Sequence, residues 1–130
     1  MDIKTHNSID QELCGKPLEL GEGYSRVELQ TTLQMAADET GLVHGGFIFG
    51  LADYAAMIAV NHPNVVLGAS DVRFLKPVKA GAVVTAEARV NQIDGQKQTA
   101  SVTVVTDNLE VFKGEFSCFI LKKHVLSSGK

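Results

Sequence analysis

The chain is poor in the residues that mark several common protein classes. Its 130 residues include two cysteines, three prolines and no tryptophan, and its formal net charge is −3 without any run of lysine or arginine. Two cysteines cannot provide the disulfide framework of a small secreted domain. With near-balanced charge and few aromatic residues, the chain has no basic, aromatic surface of the kind that binds nucleic acid or an anionic membrane. We therefore expect neither partner, and a small-molecule ligand instead.

The sequence also lacks the patterns typical of a signal peptide and of a membrane-spanning helix. The first ten residues, MDIKTHNSID, lack the basic and then apolar character of a signal peptide. The longest apolar run, Gly46 to Val60, holds about fifteen residues with Asp53 inside it, which is short of the roughly 20 that cross a bilayer. We expect a cytoplasmic protein with one domain over residues 1–130 and a buried soluble helix in this run.

Metal and cysteine chemistry find no support in the spacing of the relevant residues. The four histidines are scattered along the chain, at His6, His44, His62 and His124. Neither Cys14 nor Cys118 lies in an arrangement typical of a zinc ligand set or of a nucleophile with a histidine partner. We expect no metal site and no cysteine nucleophile.

The hydrophobic patterns predict a strand, a long helix and then four strands. Residues 24–32 alternate as a strand, and the helix begins at Gly45 or Gly46 and ends near Asn61, because Pro63 disfavours a helical His62. Residues 8–20 are interpreted as a short helix or turn with Ser8 as a possible cap, and the SSGK tail is expected to fray. Four later segments alternate with period two, at residues 65–75, 82–93, 98–107 and 110–121.

The predicted arrangement is α+β. Asp-Gly within residues 93–96 indicates a tight hairpin, and a second turn falls at residues 106–110, so the four strands are expected to form a meander. A helix that is apolar around most of its circumference must be enclosed. We expect an antiparallel sheet curved around that helix.

Asp53 is the one charged residue in this apolar helix. Burying an ionised carboxylate is costly unless it is paired or its pKa rises, and a perturbed carboxylate in an apolar setting is a functional candidate. A structural explanation stays open, in which Asp53 lies at a wet edge of the helix or accepts a hydrogen bond from a backbone N–H or a tyrosine hydroxyl.

The His44-Gly45-Gly46 sequence precedes Asp53 at the start of the helix. Unpaired N–H groups and the positive end of the helix dipole meet there, and glycines let a ligand oxygen approach them, as in an oxyanion hole. A tight turn into the helix explains the glycines equally well. Gly45 and Asp53 are eight residues apart, about 12 Å along one helix, so they cannot hold the same atom. A shared function therefore requires a homodimer with two sites between its chains.

Two segments resemble the hot-dog-fold acyl-CoA thioesterases, and in particular the branch of the phenylacetate pathway. They are VHGGFIFGLADYAA at residues 43–56 and VRFLKPVKAG at residues 72–81. The resemblance implies a sheet wrapped around a central helix, and dimers that often pair into tetramers. It also implies Asp53 as nucleophile or general base, Gly45 and Gly46 as backbone donors to a thioester carbonyl, and His44 as the residue that shapes the loop. Coenzyme A would be part of the ligand, with no separate cofactor.

Further residues are candidates for substrate binding. Phe47 and Met57 could line an acyl pocket, or they could be ordinary core residues. Arg73, Lys76 and Lys79 could meet the phosphates of coenzyme A, or they could be solvated charges around a turn.

Three positions depart from the family's pattern. Asp38 stands where related hydrolases often carry asparagine, and Leu67 and Met57 stand where some relatives carry serine or threonine. Each change removes a polar group that helps hydrolysis. Two functions therefore stay open: an acyl-CoA thioesterase, or a regulatory protein that binds acyl-CoA or acyl carrier protein without cleaving it. A hydratase of the same fold is the least supported alternative. Such an enzyme usually pairs its aspartate with a nearby histidine, whereas His44 lies on the other side of the helix from Asp53.

Overall fold

Six antiparallel strands form one sheet around a single long helix. The computed structural model describes residues 1–127. The elements in chain order are α1 (Gln11–Cys14), β1 (Lys16–Gly21), β2 (Tyr24–Gln30), a 3₁₀ turn (Leu33–Met35), α2 (Gly45–Val60), β3 (Val65–Phe74), β4 (Val83–Asp94), β5 (Lys97–Thr106) and β6 (Leu109–Ile120). The predicted α+β class and the hot-dog arrangement are confirmed. Of the SSGK tail, three residues lie outside the described part of the chain, so the expected fraying stays a prediction.

Helix α2 is the centre of the core. Nine of its 16 residues are buried, and they lie on more than one side of the helix: Ile48, Leu51, Ala52, Tyr54, Ala55, Ala56, Met57, Ile58 and Ala59. The helix ends at the predicted place, where Asn61 adopts a left-handed conformation and donates its N–H to the Met57 carbonyl at 2.8 Å. A left-handed asparagine is a common helix terminator, so Asn61 and Pro63 both act against continuation.

The expected period-two alternation is found on β4 and β5, whereas most residues of β3 are exposed. On β4 the buried residues are Val84, Ala86 and Ala88, and they alternate with the more exposed Thr85 and Glu87. Small side chains on β4 face the alanine-rich α2, so helix and sheet can pack closely. Both turns are also found, and the second has positive φ at Asp107 and Asn108, as a two-residue hairpin turn requires.

The predicted four-strand meander is wrong in one respect. The strand order is β1-β2-β4-β5-β6-β3, so β3 pairs with β6 and not with its successor β4. The chain leaves β3 through residues 75–82, where Leu75 donates its N–H to the Val111 carbonyl at 2.8 Å. This connection carries the chain back across the sheet to β4. Hydrophobic alternation fixes which face of a strand is buried, but it does not fix the neighbour.

Residues 8–20 also differ from the expectation. The cap of α1 is Asp10 and not Ser8, because an Asp10 carboxylate oxygen accepts the N–H groups of Glu12 and Leu13. The second half of the segment is strand β1 rather than helix or turn, paired with β2 at the edge of the sheet. None of its six residues is buried, so it carries little hydrophobic signal. No helix within residues 1–127 is long and apolar enough to cross a membrane.

Candidate functional site

Asp53 lies in the middle of α2 and is only partly accessible to solvent. Its Oδ1 is shielded and has no hydrogen-bond partner among the described residues, so the structural explanation of an acceptor for N–H or tyrosine hydroxyl does not hold for this atom. Burial raises the pKa of Asp53 to about 6. The group is therefore largely ionised at neutral pH but poorly solvated, which makes it a better base than a surface carboxylate.

The thiols near Asp53 are unsuited to nucleophilic chemistry. Burial raises the pKa of Cys118 to about 12, and the negative charge of Asp53 adds to the effect. Burial also raises the pKa of Cys14. Both cysteines are free and stay protonated at neutral pH. Within residues 1–127, no cluster of three histidine, cysteine or acidic side chains could hold a metal ion.

The start of α2 presents one free amide. His44 is the N-cap, and its Nδ1 accepts the Gly46 N–H at 2.8 Å. A Cβ at position 46 would lie 2.9 Å from that Nδ1, which explains the need for glycine there. The Phe47 N–H donates to the His44 carbonyl at 3.0 Å, whereas the Gly45 N–H has no acceptor within residues 1–127. Gly45 is thus the open donor at the positive end of the helix, and Gly46 is occupied by its own cap.

Gly45 and Asp53 do not surround a common point in one chain. They are the first and ninth residues of the continuous helix α2. Eight steps at 1.5 Å place them about 12 Å apart along the axis. A single carbonyl carbon cannot contact both groups from the same helix.

Phe74 lies beside the Cα of Gly45. A Cβ placed on Gly45 would lie 3.0 Å from the Phe74 ring, although this side chain is 56% exposed. The ring also packs edge-on against Phe112, with centroids 5.1 Å apart. Sequence reasoning placed Phe74 only in a strand, since alternation alone did not show that β3 ends beside the start of α2.

The three basic candidates are not all in one place. Lys79 lies beside the loop before α2, where it forms a β-bridge with Leu42. Lys76 is exposed just after β3. Arg73 lines a depression on the outer face of the sheet together with Asp71 and Lys113, so it points away from α2.

The other candidate binding residues have distinct surroundings. The Asp38 carboxylate accepts the N–H of Thr40 at 2.9 Å and its hydroxyl at 2.6 Å, and these bonds hold the pKa of Asp38 below its usual value. Phe47 is half-buried and meets the His44 ring edge-on at 6.3 Å between centroids. Met57 is buried one turn beyond Asp53.

A cavity of about 530 Å³ opens beside Asp53. Its apolar lining includes Met57 and the start of β3, and another wall is formed by residues 4–7 near the N-terminus. Pockets of this size are typical of small-molecule sites. Asp53 and Met57 therefore share a space that can hold a ligand.

Sequence reasoning missed the N-terminal wall of this cavity. Asn61 holds the segment in place, because its Oδ1 accepts the Lys4 N–H at 2.7 Å and its Nδ2 donates to the Asp2 carbonyl at 2.8 Å. Thr5 is buried and His6 has a positive φ of 57°. The segment has no regular hydrophobic period, so no pattern in the sequence placed it against α2.

Comparison with known sequences connects the chain to one family. A family model described as the thioesterase superfamily matches residues 40–113. The chain is 54% identical over 116 residues to methylthioribose-1-phosphate isomerase of Aquifex aeolicus, with 89% of this chain and 25% of that protein covered. It is 26% identical over 124 residues to transcription factor FapR of Caldanaerobacter subterraneus subsp. tengcongensis, covering 95% of this chain and 62% of that protein. The chain thus spans about a quarter of the first relative and less than two thirds of the second.

Solved structures with the same fold include three informative cases. Protein PH1136 from Pyrococcus horikoshii has a TM-score of 0.96 and 50% identity, with 97% of both chains covered. The E. coli PaaI protein from the phenylacetic acid degradation operon has a TM-score of 0.82 and 25% identity, covering 92% of this chain and 88% of that one. Protein smu.793 from Streptococcus mutans, solved with acetyl CoA bound, has a TM-score of 0.77, with 85% and 90% covered; at 23% identity the likeness shows the fold alone.

Proposed function

Because the chain belongs to the thioesterase superfamily, we propose that it hydrolyses an acyl-CoA thioester. The similarity to PaaI confirms the branch that the sequence resembles. In the proposed site Asp53 acts as nucleophile or general base, and the Gly45 N–H donates to the thioester oxygen. The observation that carries the proposal is the shielded Oδ1 of Asp53, which has no hydrogen-bond partner within residues 1–127 although it lies in an otherwise apolar helix.

The chemistry needs one base and one hydrogen-bond donor. As a general base, Asp53 takes a proton from water while the water oxygen attacks the carbonyl carbon, and the C–S bond then breaks to release the thiolate. As a nucleophile, the carboxylate attacks the carbon itself and the C–S bond breaks to release the thiolate. Water then cleaves the resulting mixed anhydride into the free acid and the Asp53 carboxylate. In both routes negative charge develops on the carbonyl oxygen, where the free Gly45 N–H and the positive end of α2 stabilise it.

The proposed site lies between two copies of the chain. Asp53 of one protomer and Gly45 of the partner subunit meet on one carbonyl, because the two groups are about 12 Å apart within a single helix. Two helices that run antiparallel about a twofold axis create two equivalent sites. Strand β3 lies at the edge of the sheet, which leaves one of its sides open to a second copy. Light scattering distinguishes such a dimer from a tetramer of two dimers.

Several other residues have proposed binding roles. Lys76 and Lys79 are suited to the phosphates of coenzyme A, since both are exposed and Lys79 adjoins the loop that leads to α2. Phe47 and Met57 border the acyl group, and Asp38 lies on the loop before α2. Arg73 is the weakest of these candidates, because it lies on the outer face of the sheet. An acyl carrier protein is an alternative carrier of the thioester.

The test uses a matched pair of variants at Gly45. Gly45→Pro removes the N–H, yet proline suits the first position of a helix, and the extended conformation of His44 (φ −61°, ψ 132°) suits a residue before proline. Gly45→Ala adds a Cβ against Phe74 but keeps the N–H, so it controls for crowding. We expect release of free thiol from acyl-CoA to fall by about 100-fold in the proline variant, as for loss of one oxyanion donor, and much less in the alanine variant.

Mixed dimers test the shared site directly. Asp53→Asn and Gly45→Pro chains are each inactive alone, but a mixed dimer contains one site with both native groups. Refolding an equal mixture is expected to restore about a quarter of the wild-type activity, since half of the dimers are mixed and each has one working site. Failure to recover activity in a mixture shown to contain mixed dimers would contradict the two-chain site.

A regulator that binds acyl-CoA without hydrolysis is the second candidate. It is favoured by the match to transcription factor FapR and by Asp38, an acid where related hydrolases often carry asparagine. Acyl-CoA binding by calorimetry with no thiol release from the wild-type protein would select this candidate.

A further inference from the structure

The outer face of the sheet, on the side away from α2, carries an ordered pattern of charge. Two rows of side chains cross five strands on this face, and neighbours within a row are paired in the strand register. Row A consists, from β2 to β3, of Tyr24, Arg89, Ser101, Glu115 and Asp71. Row B consists, in the same order, of Arg26, Glu87, Thr103, Lys113 and Arg73. The rows are two residues apart on every strand, so their side chains project from the same face.

The two rows have opposite charges on three of the strands. The pairs, with the residue of row A first, are Arg89 and Glu87 on β4, Glu115 and Lys113 on β6, and Asp71 and Arg73 on β3. Between β4 and β6, strand β5 contributes only the short, uncharged side chains of Ser101 and Thr103. A depression of about 350 Å³ lies there, lined by these two residues and by the charged residues of β6 and β3.

Four of these charges are not neutralised within their own chain. Glu115 lies directly opposite Asp71 across the strands, and Lys113 lies opposite Arg73, so like charges are neighbours. All four side chains are exposed, and none forms an ion pair within residues 1–127. Glu115 accepts the Ser101 hydroxyl at 3.2 Å, which leaves its charge in place. Like charges opposite each other destabilise a sheet, so opposite charges supplied from outside would stabilise this one.

A second copy of the chain supplies those opposite charges if two outer faces meet about a twofold axis. When the axis runs across the strands, midway between the rows, row A of one copy lies over row B of the other, strand by strand. Every acid of β4, β6 and β3 then faces a base of the partner subunit. A twofold axis along β5 fits less well, because it places Arg26 of one copy against Arg73 of the partner subunit.

The mixed charge of this face favours a second copy over a partner of one charge. The chain has a net charge of −3, so two copies have no general attraction, and any attraction must come from the local arrangement. A uniformly acidic partner would be attracted by Lys113 and Arg73 but repelled by Glu115 and Asp71, which lie about 7 Å away along the strands. A second copy carries the matching alternation with the matching spacing.

We propose that the outer face of the sheet is a contact between two copies of the chain. In this contact Glu115 and Asp71 of one copy lie against Lys113 and Arg73 of the partner subunit, and the twofold axis repeats each pair. The contact is separate from the open edge of β3 and does not depend on hydrolysis. It doubles the assembly that forms without it, so a dimer built around α2 becomes a tetramer and a monomer becomes a dimer.

The first test is the salt dependence of the mass measured by light scattering. Exposed ion pairs are weakened by salt, because the screening length falls from about 14 Å at 0.05 M salt to about 4 Å at 0.5 M. We expect the wild-type assembly at about 0.5 M salt to have half the mass that it has at about 0.05 M, at the same low protein concentration. A mass that is the same at both salt concentrations over the whole protein concentration range would overturn the proposal.

Charge reversal on β6 tests the residues. Lys113→Glu leaves two acids on β6 of every copy, and Glu115→Lys leaves two bases, so each variant places like charges against each other in the contact. We expect either substitution to raise the dissociation constant of the contact about 10-fold or more, because the twofold axis repeats every pair. Lys122→Glu is the matched control, since it makes the same change of charge at an exposed residue outside both rows. Equal dissociation constants for wild type and both β6 variants would overturn the proposal.

Mixing the two variants tests the geometry. In an equal mixture, the two acids of a Lys113→Glu chain face the two bases of a Glu115→Lys chain. We expect the mixture to regain the mass that neither variant reaches alone. Thermal unfolding at a Tm close to that of Lys122→Glu would show that the variants are folded before they are mixed. A mixture of folded variants that stays dissociated would overturn the facing of row A on row B. Because thiol release is not measured, the result stands apart from the proposed hydrolysis.

Discussion

Replacing Asp53 by asparagine is expected to stabilise the protein while abolishing its activity. The side chains have nearly the same shape, so the main change is removal of a charge that α2 holds in apolar surroundings. Burial raises the pKa of Asp53 from 3.8 to about 6. The folded state therefore holds the proton more tightly than the unfolded state does, and the wild-type protein loses stability as the pH rises between about 4 and 6.

The magnitude follows from this pKa difference. About two pKa units at 1.36 kcal/mol each give a cost of about 3 kcal/mol above pH 7, as an upper value. Because the asparagine amide must also leave water, we expect Asp53→Asn to raise the free energy of unfolding by about 1 to 3 kcal/mol. For a chain of 130 residues this corresponds to an increase in Tm of about 4 to 11 °C.

The assay is thermal unfolding of both proteins from pH 4 to pH 8. The Tm difference should be small near pH 4, grow through pH 6 and then level off. Asp38→Asn is the matched control, because hydrogen bonds lower the pKa of that exposed carboxyl and removal of its charge gives no gain at pH 8. A Tm difference for Asp53→Asn that does not change with pH, or a lower Tm at pH 8, would refute the reasoning.

Three further predictions concern the ionisation of Asp53, the helix cap at His44 and the contacts of Asn61. Hydrolysis needs ionised Asp53, so kcat/KM should rise with pH through an apparent pKa near 6, and a flat profile from pH 5 to pH 8 would count against its role as base or nucleophile. His44→Ala removes the cap on Gly46 and should lower the free energy of unfolding by about 1 kcal/mol in urea titrations, whereas an unchanged midpoint would show that the cap contributes nothing. Asn61→Ala should speed amide exchange at residues 4–6, since it removes two bonds to the N-terminal segment, and unaltered protection there would show that other contacts hold the segment.

Local features of this protein were predictable from the sequence. The all-round apolar character of residues 46–60 predicted an enclosed helix, and Asp107 and Asn108 lie in one of the two predicted turns. The alternation of residues 82–93 predicted strand β4, and Val84, Ala86 and Ala88 form its buried face. In each case the signal lies in neighbouring residues and needs no knowledge of the rest of the fold.

Features that depend on distant contacts were not predictable in the same way. Strand β3 pairs with β6, and the paired Val65 and Ile120 lie 55 residues apart along the chain. The alternation of β3 carries no information about that partner. Strand β1 is an exposed edge strand, so its side chains show no buried face. The N-terminal wall of the cavity depends on Asn61 and on the isolated burial of Thr5, and single residues of this kind give no period.

Some features of the candidate site are readable from the sequence, and the roles of its residues stay predictions. Asp53 was identified as a candidate because a buried, unpaired charge in an apolar helix is costly. The structure shows its Oδ1 shielded and without a partner among the described residues. If Gly45 and Asp53 act on one carbonyl, their spacing along α2 predicts a site formed by two chains, and this stays a prediction. The sequence did not show that the Gly45 N–H is free while the Gly46 N–H is bonded. That difference depends on the rotamer by which His44 accepts the Gly46 N–H.

The most direct test of the central claim is the rate of free thiol release from a panel of short, aromatic and long acyl-CoAs. Wild-type protein and Asp53→Asn are compared at pH 8, with a binding measurement to show that the variant still holds its ligand. The account predicts turnover of at least one acyl-CoA by the wild-type protein and a loss of about 100-fold or more in the variant. Equal turnover by the two proteins would contradict it.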